Sequence, residues 1–180
     1  YFMGAIELFY VNYLLDEVEY YSRKIISELD SNYTYPYIYL ERAFHEKGNY
    51  KDAMEISLFI DELCIQNEED IQIYMLNIFH IGENAYFLHE YDSSKELLLE
   101  YFMMLEQNRD PMYDDECEAN VYLGLISEHF KDKKEAKKYF QKAKEIDKEN
   151  DRTYIASMFS NIVAIAALVV ALVALLKGVG

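Results

Sequence analysis

The stretch from Ile155 to Leu176 contains 22 residues and no formal charge. As a helix it would be about 33 Å long, enough to cross a hydrocarbon core of about 30 Å. The other interpretation is a helix buried inside a folded domain, but such helices are usually shorter and less uniformly apolar. We therefore predict a C-terminal transmembrane helix within residues 152–180 and one folded domain within residues 1–151.

The composition of the remaining chain favours helices over strands. Hydrophobic residues make up 52% of the whole sequence, which has only 6 Gly and 2 Pro. Few segments alternate apolar and polar residues, so an all-α fold is expected. Cys64 and Cys117 lie singly within helical patterns, without the spacing of a zinc site. We interpret them as buried thiols in a reducing compartment.

The charge is unevenly distributed along the chain. Residues 1–130 carry 7 Lys/Arg against 27 Asp/Glu, whereas residues 131–152 carry 9 against 6. A domain this acidic is unsuited to the phosphate backbone of nucleic acids, which attracts clustered basic side chains. The basic stretch directly precedes the apolar run, and Lys and Arg in that position favour the cytoplasmic side. The sequence thus predicts a single-pass membrane protein whose folded domain faces the cytoplasm.

One pattern recurs through the folded domain: a helix, a short polar turn, a small residue and a second helix. The last copy contains Leu123, Gly124, Ala136, Phe140 and Ala143. The two earlier copies contain Leu40, Phe44, Gly48, Asn49, Tyr50 and Ala53, and then Ile81, Gly82, Tyr91 and Ser94. The small residues Ala53, Ser94 and Ala136 are 41 and 42 positions apart. Residues 1–29 are interpreted as a degenerate first hairpin that turns around Asp16 and Glu17.

This pattern resembles the tetratricopeptide repeat (TPR), which pairs Leu-Gly on a first helix with Ala, an aromatic residue and Ala on a second. Small residues let the two helix axes approach, and large residues fill the space between repeats. The observed spacing exceeds the usual repeat of about 34 residues, so longer helices or linkers are expected. The fold class implied is a TPR-like α-solenoid of antiparallel hairpins; a generic antiparallel bundle is the alternative. With the apolar run, the layout resembles a TPR-like protein with a C-terminal tail anchor.

The resemblance implies that a peptide or partner helix binds along the concave face formed by the first helix of each hairpin. The family positions on that face correspond to Tyr35, Arg42, His45, Phe79, Glu83, Tyr86, Val121, Leu125 and Glu128. Family members that clamp a terminal carboxylate use Lys and Asn at central positions, where this chain has Arg42, Glu83 and Leu125. A carboxylate clamp is therefore not expected.

No motif for catalysis is present. The four histidines lack the spacing of a metalloprotease helix, and the sequence contains neither a nucleophile elbow nor a glycine-rich phosphate loop. Acidic clusters between the helices lack the glycine-centred spacing of a calcium loop. We expect a protein that is not an enzyme and that holds no metal or cofactor.

Small residues form a stripe along the apolar run, at alternating spacings of three and four. They are Ser157, Ser160, Ala164, Ala167, Ala171, Ala174 and Gly178. Such a stripe allows close packing of a second helix in lipid and would permit a homo-oligomer, although alanine is also simply common in this segment.

The sequence favours a membrane-anchored scaffold or adaptor that mediates protein–protein interaction. One alternative is a membrane-active effector, whose C-terminal helices oligomerise under control of a ligand-sensing repeat domain. The other is the peptide-sensing regulatory part of a longer protein.

Overall fold

A computed structural model describes residues 2–67, 71–108 and 115–148, which form helices joined by short turns. The helices are α1 (Phe2–Val11), α2 (Leu15–Glu28), α3 (Thr34–Glu46), α4 (Tyr50–Asn67), α5 (Ile71–Phe87), α6 (Tyr91–Asn108), α7 (Glu116–His129) and α8 (133–148). From α1 to α7, each helix packs on the next, and α1 also contacts α3 while α5 contacts α7. The predicted all-α fold is confirmed.

The same turn closes all four hairpins. Tyr13, Gly48, His89 and Lys131 have positive φ angles of 56°, 77°, 65° and 64°. In the second hairpin, the Gly48 amide donates to the His45 carbonyl at 2.8 Å, and the next amide donates to the Phe44 carbonyl at 2.9 Å. Equivalent pairs of hydrogen bonds recur in the other three turns. They satisfy carbonyls that the end of a helix would otherwise leave unpaired.

The first turn differs from its predicted position. It lies at Tyr13, whereas Asp16 and Glu17 already belong to the first turn of α2. Their carboxylates suit a helix N-terminus because the helix dipole is positive there. The sequence-based placement around Asp16 and Glu17 was therefore wrong by about one helical turn.

The fifth residue after each turn is buried at the start of the second helix. These residues are Val18, Ala53, Ser94 and Ala136, and none is more than 3% exposed. In each case the backbone N–H donates to the carbonyl four positions earlier, at 2.9–3.0 Å. The predicted alignment of the last three copies is confirmed, and the first hairpin follows it with Val18 in the alanine position.

In the last two hairpins, the seventh residue before the turn is a glycine packed closely against the second helix. A Cβ atom on Gly124 would lie 2.5 Å from the Phe140 ring, and one on Gly82 would lie 3.1 Å from Leu98. In the second hairpin, the residue seven positions before the turn is Glu41, which is fully buried. The position equivalent to Leu98 and Phe140 is occupied by Ser57, which is also fully buried. The second hairpin thus has a larger residue, Glu41, on α3 and a smaller one, Ser57, at the facing position on α4.

None of the helices within the described ranges is long and apolar enough to cross a membrane. The predicted transmembrane helix at 155–176, its stripe of small residues and the boundary at residue 152 lie outside those ranges. Cys64 and Cys117 do not form a disulfide; Cys64 is buried as predicted, whereas Cys117 is only half-buried.

Candidate functional site: a groove across the first helices of the hairpins

A groove of about 530 Å³ runs across the first helices of the four hairpins. We call it the A-helix groove. Its lining residues are Glu7, Tyr10, Tyr35, Ile38, Tyr39, Arg42, Ile73, Leu76, Phe79, His80, Asp115 and Glu118. Positions that are equivalent in two or three of the hairpins therefore contribute to one continuous surface, as expected for stacked repeats.

The lining residues follow from the register set by the turns. Tyr39 and His80 each lie nine positions before their turn residue, Gly48 and His89. Tyr35, Leu76 and Glu118 each lie thirteen positions before theirs. These intervals return to one face of a helix that has 3.6 residues per turn. The groove is thus a consequence of repeating the same turn.

Tyrosines form one wall of the groove. The rings of Tyr10 on α1 and Tyr39 on α3 meet edge to face, with their centroids 5.8 Å apart. Burial raises the pKa of Tyr10, although the nearby Arg42 opposes that effect. A tyrosine-rich wall offers a large apolar contact together with polar tips, a combination common in protein interfaces.

Three charged or polar side chains connect successive first helices. Arg42 on α3 contacts Glu83 on α5, with 2.5 Å between Nη1 and Oε2. The hydroxyl of Tyr122 on α7 donates to Oε1 of the same carboxylate at 2.6 Å. Glu83 is only 3% exposed, so these hydrogen bonds lie away from bulk water. Together they tie three hairpins to one carboxylate.

The electrostatics of this connection favour ionised side chains. Burial alone raises the pKa of Glu83, but Arg42, His45 and the Tyr122 hydroxyl outweigh burial and leave the pKa lowered. Burial likewise lowers the pKa of Arg42, but Glu83 and Glu41 raise it well above its usual value. Burial, followed by Glu83, raises the pKa of Tyr122. Arg42 and Glu83 therefore form an ion pair with little net charge.

A second layer of polar groups lies behind Arg42 and Glu83. Asn84 Nδ2 donates to Glu41 Oε1 at 2.8 Å, which leaves its Oδ1 to accept from His45 Nδ1 at 2.8 Å. His80 Nδ1 lies 3.0 Å from the other oxygen of Glu41. Burial raises the pKa of Glu41, but His80, Arg42 and Asn84 more than compensate and lower it. The carboxylate that replaces the expected glycine is thus held by partners on α5.

Carboxylates dominate the remaining charge of the groove. Glu7 and Glu118 are exposed, and Asp115 is half-buried. Asp115 Oδ2 is buried without a hydrogen-bond partner among the described residues. Burial raises the pKa of Asp115 to about 6, with a further contribution from Glu118. Because Arg42 is paired with Glu83, the groove keeps an excess of negative charge.

The structure brings together four of the nine residues predicted for the concave face. Tyr35, Arg42 and Phe79 line the A-helix groove, and Glu83 pairs with Arg42 behind it. His45 lies deeper, where its ring meets those of Tyr50 and Phe87.

The other four predicted residues lie elsewhere. The Tyr86 ring packs among those of Phe87, Tyr91 and Tyr122. Val121 is 37% exposed and, like Leu125, is absent from the groove lining. Glu128 lines a different depression next to α8.

Sequence comparison with the family pattern missed Glu7, Tyr10, His80, Asp115, Glu118 and Tyr122. For α1 the missing signal was the turn at Tyr13, because Glu7 lies six positions before it, as Arg42 lies six positions before Gly48. Counting back nine residues from Lys131 gives Tyr122, just as it gives His80 from His89. Val121 lies ten positions before Lys131, just as Phe79 lies ten before His89, yet only Phe79 lines the groove. No group of three or more His, Cys, Asp or Glu in the described segments could share a metal ion.

The hairpins, their repeated turn and the groove together define a TPR-like helical-repeat fold. No protein-family model matches it, and no curated protein matches it. Fourteen chains among solved structures do match. One is the crystal structure of the apo form of RapI, with a TM-score of 0.70 and 18% sequence identity. The match covers 87% of this chain and 58% of that chain, and at this identity it shows the fold alone.

Proposed function

We propose that this protein is a membrane-anchored adaptor whose A-helix groove binds an extended segment of a protein or peptide partner. The observation that carries this proposal is the continuous groove, which crosses the first helices of four hairpins and has a wall of tyrosines. An extended segment matches such a surface because its successive side chains can engage successive repeats. No catalytic role is proposed for any residue of the groove.

The negative charge of the A-helix groove favours a positively charged partner segment. Glu7, Asp115 and Glu118 contribute negative charge, and the positive charge of Arg42 is already paired. Opposite charge speeds association and discriminates against unsuitable partners. We therefore propose a segment that carries at least one Lys, Arg or free amino terminus.

Peptide selection from a random display library tests this binding role. Selected peptides should be enriched in Lys or Arg, and their affinity should fall as salt increases. The double variant Glu7→Lys/Glu118→Lys should weaken binding by about tenfold or more, because it places like charges together.

A matched control reverses two exposed carboxylates on helices that do not line the groove, Glu55 on α4 and Glu96 on α6. Glu55→Lys/Glu96→Lys changes the net charge equally but should bind like the wild type. Equal weakening by both double variants, or failure to select any peptide, would contradict binding in the groove.

The membrane anchor is supported by the uncharged run of 22 residues at 155–176. It would hold the repeat domain at the cytoplasmic face of a membrane, with the basic stretch 131–152 on the same side. Carbonate extraction provides the test: the full chain should stay in the membrane pellet, and a chain ending at residue 151 should not. Release of the full chain by carbonate would refute the anchor without bearing on the groove.

A further inference from the structure

The exposed surface of α8 and the turn before it has the opposite charge to the rest of the protein. Residues 131–144 contain seven lysines and only two acidic residues, whereas residues 1–130 contain 27 acidic and 7 basic residues. All seven lysines are exposed. They are Lys131, Lys133, Lys134, Lys137, Lys138, Lys142 and Lys144.

An apolar depression lies among four of these lysines. It has a volume of about 650 Å³ and is floored by Ala136 and Phe140. Lys131, Lys133, Lys137 and Lys144 surround it, together with Glu128 and Gln141. We call this surface the lysine slot. Lysine side chains around an apolar floor can place their ammonium groups at a charged layer while their methylene chains cover the apolar atoms.

We propose that the lysine slot docks on the headgroups of anionic phospholipids in the membrane that anchors the chain. Only six residues separate residue 148, at the end of the described helix, from Ile155 at the start of the uncharged run. Fully extended, this connection spans at most about 25 Å. An anchored chain therefore keeps α8 within reach of the headgroup layer.

Tethering favours lipid over a soluble acidic partner. A site held within a few tens of ångströms of a surface meets that surface at a high effective concentration, whereas a soluble partner must be recruited from bulk. The distribution of charge also sets the orientation, because an anionic surface attracts the lysine slot and repels the acidic hairpins. Each lysine near such a surface strengthens docking by about fivefold.

Docking leaves the A-helix groove open. The groove uses Asp115 and Glu118 near the start of α7, whereas the lysine slot uses Glu128 near its end. Among the described residues, none lines both surfaces. Lipid docking would therefore fix the height and orientation of the repeat domain above the membrane without competing for the partner segment.

Amine footprinting of the full chain in vesicles tests the docking. Vesicles of phosphatidylcholine alone are compared with vesicles containing about one third phosphatidylglycerol, and acylation of each lysine is followed by mass spectrometry. Acylation of Lys133 and Lys137 should be several-fold slower in the anionic vesicles. Exposed Lys51 on α4 is the internal reference and should react equally in both. Salt of about 1 M, which shortens the Debye length to about 3 Å, should remove the difference.

Two double variants separate charge from side-chain identity. Lys131→Gln/Lys144→Gln should weaken docking by about 25-fold and restore the reactivity of Lys133 and Lys137, because each lost lysine contributes about fivefold. Lys131→Arg/Lys144→Arg keeps the charge and should keep the protection.

Because docking depends on the proposed membrane anchor, carbonate resistance of each vesicle sample is measured first. Loss of the protein from the vesicles would refute the anchor and, with it, the docking. Retained protein with equal lysine reactivity in neutral and anionic vesicles would refute docking alone. Acylation of Lys133 and Lys137 could instead slow equally in neutral and anionic vesicles and slow further as the protein density in the vesicles rises. That result would indicate that the lysine slot binds the acidic surface of a second copy, and it would also refute lipid docking.

Discussion

Replacing Gly124 with alanine should destabilise the protein, although alanine is the better helix former. In an unobstructed helix interior, Gly→Ala gains about 1 kcal/mol. Here the new Cβ would lie 2.5–2.8 Å from three atoms of the Phe140 ring, too close for contact without movement of the ring. Overpacking of this kind costs about 1–3 kcal/mol. The net effect should be a loss of up to about 2 kcal/mol.

Gly4 provides the matched control because it lies within α1 and a Cβ atom there would meet nothing within 4 Å. Gly4→Ala should raise the free energy of unfolding by about 0.5–1 kcal/mol. Thermal unfolding followed by circular dichroism at 222 nm should separate the two variants by about 3–10 °C.

A second substitution tests the cause of the loss. Phe140→Leu should be less harmful in the Gly124→Ala background than in the wild type, because the smaller side chain makes room for the new methyl group. A Gly124→Ala variant that is as stabilised as Gly4→Ala would refute close packing of α7 against α8 at this point.

Three further predictions concern the polar groups behind and beside the A-helix groove. Glu41→Gly should cost about 3–5 kcal/mol by leaving buried partners unpaired, and adding Ser57→Leu should recover part of that loss in urea denaturation. Tyr122→Phe should lower the free energy of unfolding by about 1.5–3 kcal/mol, because it removes the donor to the Glu83 carboxylate. Burial raises the folded-state pKa of Asp115 to about 6, above the ordinary value of 3.8. Its contribution to stability is therefore present below pH 3.8 and lost as pH rises through 6. The stability of Asp115→Asn relative to wild type should therefore rise by about 1–3 kcal/mol between pH 4 and pH 7, and a flat difference would contradict burial of this carboxyl.

Glu41 and Glu83 change the stability with pH in the opposite direction to Asp115. Glu41 and Glu83 have folded-state pKa values below the ordinary value of 4.5, so they stabilise the fold above that pH. Their contribution is lost as pH falls through the lowered folded-state values. A stability curve that stays level well below pH 4.5 would contradict ionisation of this pair in the folded protein.

The sequence predicted the repeat because the residues that identify it are set by local packing between two helices. Gly124 and Ala136 must be small where two helices approach, so their spacing identifies the hairpin from the sequence alone. The same logic failed in the first hairpin, where Val18 replaces alanine and Tyr13 makes the turn without glycine. It also failed to mark Glu41, because no rule based on one helix anticipates a carboxylate in a glycine position.

What the sequence determined by itself was therefore the helices, the pairing of the last three hairpins and the separation of an acidic body from a basic segment. Each depends on side-chain size or charge along a single stretch of chain. The tertiary structure decided which side chains meet across hairpins. Glu83 lies 41 positions from Arg42 and 39 from Tyr122, yet one buried carboxylate binds both. Such contacts depend on the angle at which one repeat stacks on the next, and that angle is the sum of packing over whole helices.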